Sequence, residues 1–141
     1  MSTYLHTTQE AGKRFYQEFH DKGKVVMLNL LKFRETADYS KLDNLKPSEP
    51  ISGKEAYDLY INHTLPILTK AGGKVLYYGA ASDYVIGPDS EKWDVVLLVE
   101  HASAEKFIAF AQDEEYLKGA GHRTAALADS RLLPSVPLQS L

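Results

Sequence analysis

The chain has 141 residues, a net charge of −3 at pH 7 and a sequence pI of about 5.9. It has no long basic run, which argues against a nucleic-acid partner, and no cysteine, which excludes disulfides, thiolate chemistry and cysteine-ligated metals. No apolar run approaches the roughly 20 residues that span a bilayer, and the first residues lack the apolar centre of a secretory signal. We therefore expect a soluble cytoplasmic protein of one domain, with no membrane partner.

A short helix is predicted in an amino-terminal extension, residues 1–24. Thr7 followed by Glu10 fits the two halves of a capping box. Apolar residues then recur with helical spacing at Ala11, Phe15 and Phe19. The pattern predicts a helix over about 8–21 that ends near Gly23, ahead of the main domain at 25–137.

Four apolar runs predict the strands of a sheet, at 25–33, 74–87, 93–101 and about 126–134. The first run is apolar on both faces, which is typical of a central strand covered on both sides. Gly79-Ala80-Ala81 in the second run predicts a bulge or a close backbone approach. Gly87-Pro88-Asp89-Ser90 then predicts the hairpin turn that leads into the third run.

The first core helix is predicted behind Ser52 and Glu55, which form a second capping box. An apolar stripe follows at 4-3-4 spacing, formed by Ala56, Tyr60, His63 and Ile67. Pro66 lies inside this helix and predicts a kink, and Gly72-Gly73 predict its end.

A second core helix is predicted behind Ser103. Its predicted buried side is Phe107, Phe110, Ala111 and Leu117. Gly119 and Gly121 are expected to break it before the last strand.

Residues 35–52 form a long connection without a clear period, and a helical turn is expected within 39–45. The segment is either a lid over a site or an ordered surface excursion. The second interpretation is favoured, because a long loop alone is a weak indication of function.

The order of elements is β-α-β-β-α-β, the split βαβ arrangement of an α+β, ferredoxin-like sandwich. Helices cover one face of such a sheet and leave the other face open. An apolar face of that size marks an interface, and two-fold symmetry is the commonest way to cover it. The pattern therefore predicts a homodimer in which two sheets pair into an α/β barrel.

Several separated segments resemble family 1330 of the domains of unknown function, over about residues 25–135. They are LNLLKFRE with ADY (28–39), SGKEAYDLYINHTLPIL (52–68), GG (72–73), IGP with KWDVVLLVE (86–100) and EEYLKGAGHRTAALADSRLL (114–133). The family is similar to the dimeric α/β-barrel superfamily, which includes cofactor-free monooxygenases, muconolactone isomerases, haem-binding chlorite dismutases and proteins of no known activity. One departure is visible: the family often has Tyr-Pro-Ser where this chain has His101-Ala102-Ser103.

His63 is the candidate catalytic residue. An imidazole titrates near neutral pH, so His63 on the apolar stripe could act as a general base at the mouth of a pocket between helix and sheet. The alternative, which we favour, is a packed histidine that donates one hydrogen bond.

Six residues are candidate ligand-binding residues: Asn29, Tyr60, Trp93, Tyr116, His122 and Arg123. Asn29 could orient a substrate carbonyl or satisfy a bulge, and these alternatives stay open. Arg123, with His122 and Tyr116, could bind a carboxylate, although a salt bridge that ties the loop to the last strand is slightly favoured. Trp93 is a pocket wall or, more often for a strand Trp, core packing. The tyrosines at 57, 60, 77, 78 and 84 are placed to line a helix–sheet cavity or a dimer interface.

No metal site is predicted, since the five histidines form no i, i+4 pair on one helix and no HExxH motif. No cofactor is implied either. We expect a homodimeric barrel that binds a small organic ligand. The alternative function is a cofactor-free monooxygenase or isomerase acting on a small aromatic or lactone-like substrate, with His63 as base.

Overall fold

The computed structural model describes residues 2–139. Four helices and four strands follow one another along the chain: α1 (Gln9–Phe19), β1 (Val25–Phe33), α2 (Gly53–Lys70), β2 (Lys74–Ala80), β3 (Val95–His101), α3 (Ala104–Ala111), α4 (Glu114–Ala126) and β4 (Leu127–Ser135). The strands form one antiparallel sheet in the order β2-β3-β1-β4. This order, with two central strands that are not neighbours in sequence, is the ferredoxin-like arrangement predicted from the sequence.

Side-chain capping explains where the helices begin. Ser52 accepts a hydrogen bond from the backbone N–H of Glu55, and Glu55 accepts one from the backbone N–H of Ser52, so the predicted capping box of α2 is present. Ser103 caps α3 in the same way through Lys106. At α1 the predicted cap was wrong by one residue, because Thr8 rather than Thr7 accepts from the N–H of Ala11.

The prediction of a single helix broken by Gly119 and Gly121 was wrong. The chain forms two helices, because the Asp113 side chain accepts hydrogen bonds from the N–H groups of Glu115 and Tyr116 and so starts α4. The new helix runs through both glycines to Ala126. Gly119 lies against the ring of His63 on α2, and Gly121 against Leu42 and Leu45. These glycines therefore allow close packing, which overrides their low helix propensity.

The second strand is shorter than predicted, since β2 ends at Ala80, and β3 begins at Val95 rather than at Trp93. The irregularity of β2 lies between Val75 and Tyr77 and not at the predicted Gly79–Ala81. The N–H of Ala81 donates to the carbonyl of Asp94, and the hairpin residues between these two lie outside the sheet.

The two faces of the sheet differ in how they are covered. Alternate residues of the central strands, among them Met27, Leu31, Leu97 and Val99, are buried beneath the helices. The residues between them point to the opposite face, where Leu28 pairs in register with Leu98 and Leu133. Leu133 is 59% exposed. Within one chain, β1 is central but is covered by helices on one side only.

Candidate functional site

The candidate site is a cavity of about 830 Å³ between the sheet and the helices. Strands β1 and β3 form its floor with Met27, Asn29, Leu97 and Val99, and helices α2, α3 and α4 form its roof. The amino-terminal segment, residues 4–8, closes part of its rim. A largely apolar cavity of this size that also holds a few polar groups has the form of a small-molecule site.

Two tyrosines join the roof helices across the cavity. The hydroxyl groups of Tyr60 on α2 and Tyr116 on α4 lie 3.0 Å apart and share a hydrogen bond. Burial raises the pKa of Tyr60, and it also raises the pKa of its neighbour Tyr57. Both phenols therefore keep their protons at neutral pH and can donate hydrogen bonds to an acceptor on a ligand.

Asn29 is the polar group of the cavity floor. Its amide nitrogen donates to the carbonyls of Met27 and Leu97, each at 3.3 Å. These bonds hold the side chain against the sheet and leave its carbonyl oxygen as an acceptor. The sequence left open whether Asn29 serves the sheet or a ligand, and its position combines the first role with access to the cavity.

His101 occupies the end of the cavity that lies beneath α3. The residue is 3% exposed, and its ring contacts Phe107 edge-on with ring centroids 4.9 Å apart. Burial lowers its pKa to about 4. His101 is therefore neutral at physiological pH and acts as an aromatic wall of this end.

Thr64 is a buried residue of the roof whose hydroxyl has no partner within residues 2–139. A helical threonine commonly bonds back to the carbonyl four residues earlier, and Thr64 does not. A buried hydroxyl without a partner is unfavourable, so packing of the apolar residues around α2 determines the position of this side chain.

Arg123 brings a positive charge to the rim. Its Nη1 donates to the carbonyl of Leu5 at 2.8 Å, and its Nη2 donates to the hydroxyl of Ser130 at 3.3 Å. The positive charge opposes the effect of burial on the pKa of Tyr57 and of Tyr60. The guanidinium group is thus on the phenol side of the cavity.

Four of the predicted site residues line this cavity: Asn29, Tyr60, Tyr116 and Arg123. The other three lie elsewhere. His63 Nε2 donates to the carbonyl of Glu115 at 2.6 Å, between α2 and α4. His122 shares a hydrogen bond of 2.7 Å with the hydroxyl of Tyr39. The catalytic role of His63 stays a prediction, and His63 is not among the residues that line the cavity.

Trp93 is buried as core packing, the favoured interpretation. Its indole N–H donates to the hydroxyl of Tyr84 at 2.8 Å, and Arg131 lies 4.9 Å from its ring centroid. The neighbouring Asp94 accepts a hydrogen bond from the backbone N–H of Phe33.

Residues 35–52 form an ordered excursion over α4, as favoured from the sequence. The N–H of Asp38 donates to the carbonyl of Ala125, and Tyr39 is 6% exposed. None of these residues lines the cavity, so the segment is not its lid.

Sequence reasoning missed Thr64 and Ser130 as residues of the cavity, and it noted His101 only as a departure from the family pattern. Ala56 and Tyr60 of the predicted stripe on α2 are buried, but in the second half of the helix Thr64 and Leu68 are buried in place of His63 and Ile67. His101 offered the better signal, since it ends an apolar strand on the same face as Leu97 and Val99.

Within 2–139, no group of three or more His, Asp or Glu side chains could hold a metal ion. In the same residues, no helix is both long and apolar enough to cross a membrane.

Comparison with known proteins agrees with the predicted resemblance. Residues 48–134 match the family described as "Domain of unknown function (DUF1330)". Two structures of RPA0582, a protein of unknown function from Rhodopseudomonas palustris, are 32% identical to the chain. The methylated form has a TM-score of 0.86 and covers 99% of this chain and 98% of that one. The other has a TM-score of 0.85 and covers 99% and 100%.

A more distant likeness supports the fold alone. A NIPSNAP family protein from Agrobacterium tumefaciens is 17% identical, with a TM-score of 0.52, over 82% of this chain and 94% of that one. No curated protein sequence is similar enough to match.

Proposed function

The chain belongs to the DUF1330 family, and we propose that it binds a small organic ligand in the helix–sheet cavity of each protomer of a homodimer. The cavity carries the proposal, because about 830 Å³ is space for a small molecule. Its apolar floor and roof favour a hydrocarbon body. The hydroxyl pair of Tyr60 and Tyr116 and the carbonyl oxygen of Asn29 give such a ligand a fixed orientation.

Binding alone is proposed, without a reaction. A general base must reach the proton that it removes, directly or through one water. His63 packs between α2 and α4, and His101 has a pKa of about 4, which makes it a weak base. The cavity thus favours recognition over proton transfer, and the monooxygenase or isomerase hypothesis finds no further support in its lining.

The ligand proposal is tested with native mass spectrometry on freshly purified protein and with calorimetric titration of the neutral probe 2-naphthamide. We expect a retained mass, micromolar to millimolar binding of the probe, or both. Val99→Phe fills the cavity from its floor and should weaken probe binding at least tenfold. Val85→Phe makes the same change at a residue that is 100% exposed and should leave binding unchanged. Equal binding by both variants would place the probe outside the cavity and contradict the proposal.

The homodimer is proposed from the open face of the sheet. Its centre is a continuous apolar surface formed by Val26, Leu28, Leu30, Val96, Leu98 and Leu133. A surface of this kind is unfavourable in water, and its two-fold pairing with a second copy would cover both sheets at once. Such pairing is the predicted α/β barrel.

The oligomeric state is measured by size-exclusion chromatography with light scattering. We expect the mass of two chains for the wild type and of one chain for Leu98→Lys, since a buried lysine without a partner is strongly unfavourable. Leu59→Lys on the outer side of α2, where the leucine is 42% exposed, is the matched control and should stay dimeric. A single-chain mass for the wild type would overturn the barrel.

A further inference from the structure

We propose that the ligand of the helix–sheet cavity is an organic anion, whose carboxylate binds the guanidinium group of Arg123 at the rim. This inference rests on the proposed ligand-binding function and adds the chemical class of the ligand. Its basis is a comparison of the two arginines that line the same cavity, Arg123 and Arg131.

Arg131 is a neutralised arginine. Its Nη1 lies 2.7 Å from a carboxylate oxygen of Asp129, and its Nη2 lies 3.5 Å from one of Glu91. The guanidinium carbon is also 4.9 Å from the ring centroids of both Tyr4 and Trp93. Its charge and its two faces are therefore all matched within the chain.

Arg123 has the same charge and a similar position but no such partner. Among residues 2–139, no carboxylate lies within 4.0 Å of its guanidinium group. Its side-chain hydrogen bonds go to two neutral oxygens, the carbonyl of Leu5 and the hydroxyl of Ser130. An arginine has five N–H donors, so several remain for an incoming acceptor. The carboxyl end of α4 adds a partial negative charge but not a full counter-charge.

The surroundings favour an anion over a neutral acceptor. Arg123 is half-buried beside Tyr57 and Tyr60, so its charge is less well solvated than at an open surface. A carboxylate accepts stronger hydrogen bonds from a guanidinium than a carbonyl does, and it accepts two in parallel. The hydrogen bond from Arg123 to the carbonyl of Leu5 is accordingly weaker than one to a carboxylate, and an organic carboxylate can replace it.

The rest of the cavity defines the remainder of the ligand. Beyond the rim, the walls are the apolar side chains of Met27, Leu97 and Val99 and the ring of Phe110. A molecule that binds both regions has one anionic end and one compact hydrocarbon body. An aromatic or alicyclic carboxylate meets this description.

Two probes of nearly equal shape test the charge. The full-length protein is titrated with 2-naphthoate and with 2-naphthamide at constant ionic strength. We expect the wild type to bind the naphthoate about tenfold or more tightly, since a hydrogen bond to a charged group is about twice as strong as a neutral one and a carboxylate accepts two in parallel. Arg123→Met should abolish this preference, because it should weaken the binding of naphthoate about tenfold or more relative to that of naphthamide. Arg123→Lys should keep part of it.

Arg131→Met is the matched control, and we expect it to retain the preference for naphthoate. Equal affinity of the wild type for both probes would contradict the proposal that the ligand is an anion and leave the cavity as a site for neutral ligands. Failure of both probes to bind, with no retained mass in the native spectrum, would overturn the ligand-binding function as well. A preference that disappears in Arg131→Met but persists in Arg123→Met would move the anion to the other arginine. The comparison of the two probes in the wild type needs no variant and decides whether the ligand is an anion even if Arg123→Met does not fold, and Arg131→Met then decides whether the other arginine binds it.

Discussion

His63 and Thr64 are neighbours in sequence, about 100° apart around the axis of α2, and they contact different parts of the molecule. His63 lies in the seam between α2 and α4, where its Nε2–H is bonded to the carbonyl of Glu115 and its ring touches Gly119. Thr64 lines the cavity, and its hydroxyl has no partner among the described residues. The seam is closely packed and the Nε2–H of His63 is paired within it, whereas the cavity side keeps space and the hydroxyl of Thr64.

Helix α2 therefore has a structural surface, which packs against α4, and a binding surface, which lines the cavity. A closely packed seam tolerates little change in volume, and it fixes the spacing of α2 and α4. That fixed spacing holds the roof of the cavity in place, with Tyr60 and Tyr116 in hydrogen-bond contact across it. Substitutions on the seam should therefore alter stability, and those in the cavity should chiefly alter binding.

The largest effect is expected at Gly53, where α2 begins. A Cβ at this position would overlap the backbone carbonyl oxygens of Arg34 and Ala126. Gly53→Ala should lower the free energy of unfolding by about 3 kcal/mol or more, because main-chain atoms cannot move aside as a side chain can. Gly12→Ala on α1 is the matched control, since its Cβ would meet nothing within 4 Å. It should raise stability by about 0.5–1 kcal/mol. Urea denaturation measures both, and a neutral Gly53→Ala would contradict the close packing of the seam.

A smaller effect is expected at Gly119, where a Cβ would overlap the ring of His63. Gly119→Ala should destabilise the protein by about 1–3 kcal/mol. In the double variant with His63→Ala the overlap is gone. The losses of stability of the two single variants should therefore sum to more than the loss in the double variant. A double-mutant cycle from denaturation curves gives the coupling. Strictly additive values would mean that His63 and Gly119 do not share the seam.

The pH dependence of stability tests the buried end of the cavity. Burial lowers the pKa of His101 from 6.5 to about 4, so the unfolded chain takes up a proton first as the pH falls. The contribution of His101 to the free energy of unfolding is full above about pH 6.5 and is lost progressively as the pH falls to about 4. Between these values the slope is at most about 1.4 kcal/mol per pH unit, and below about pH 4 the contribution no longer changes.

His101→Phe is the variant for this measurement, because its neighbours Phe107 and Phe110 already surround the ring with aromatic groups. The pKa of His122 is also lowered, first by burial and then by the charge of His63, so the wild type and the variant are compared at each pH. Parallel stability curves for the two proteins would show that His101 is not buried in its neutral form.

The smallest effect is expected for Thr64→Val, which removes an unpartnered hydroxyl and keeps the shape of the side chain. The free energy of unfolding should rise by about 1 kcal/mol. Ser52→Ala, which removes a hydroxyl that caps α2, should lower it by about 1 kcal/mol instead. Thermal denaturation compares the two. A loss of stability in Thr64→Val would show that its hydroxyl has a partner in solution.

Local patterns predicted most of the fold. The capping box at Ser52, the alternation in β3 and the order of the elements depend on neighbours in sequence, and each is confirmed in the structure. The same patterns misplaced the end of β2, joined α3 and α4 into one helix and ended that helix at Gly119, whereas α4 continues to Ala126. Gly119 and Gly121 have low helix propensity, yet the packing of Gly119 against His63 and of Gly121 against Leu42 makes a small residue necessary there.

The candidate site was predicted only in part, for the same reason. Tyr60, Tyr116, Asn29 and Arg123 lie on elements whose faces a periodicity identifies, and they meet in the cavity. His63 lies where the favoured interpretation put it, as a packed histidine whose Nε2–H donates to the carbonyl of Glu115 on α4, and its catalytic role stays a prediction. A rotation of one residue around α2 exchanges the seam for the cavity.

The sequence by itself determined the elements, their order and hence the ferredoxin-like sheet, since these follow from periods of apolar residues and from caps a few residues long. The tertiary structure alone decided which side of α2 faces α4, that Glu91 joins the neighbouring Asp129 in neutralising Arg131, and that no carboxylate within residues 2–139 pairs with Arg123. These facts depend on residues far apart in sequence, whose distances are set only when the helices pack on the sheet.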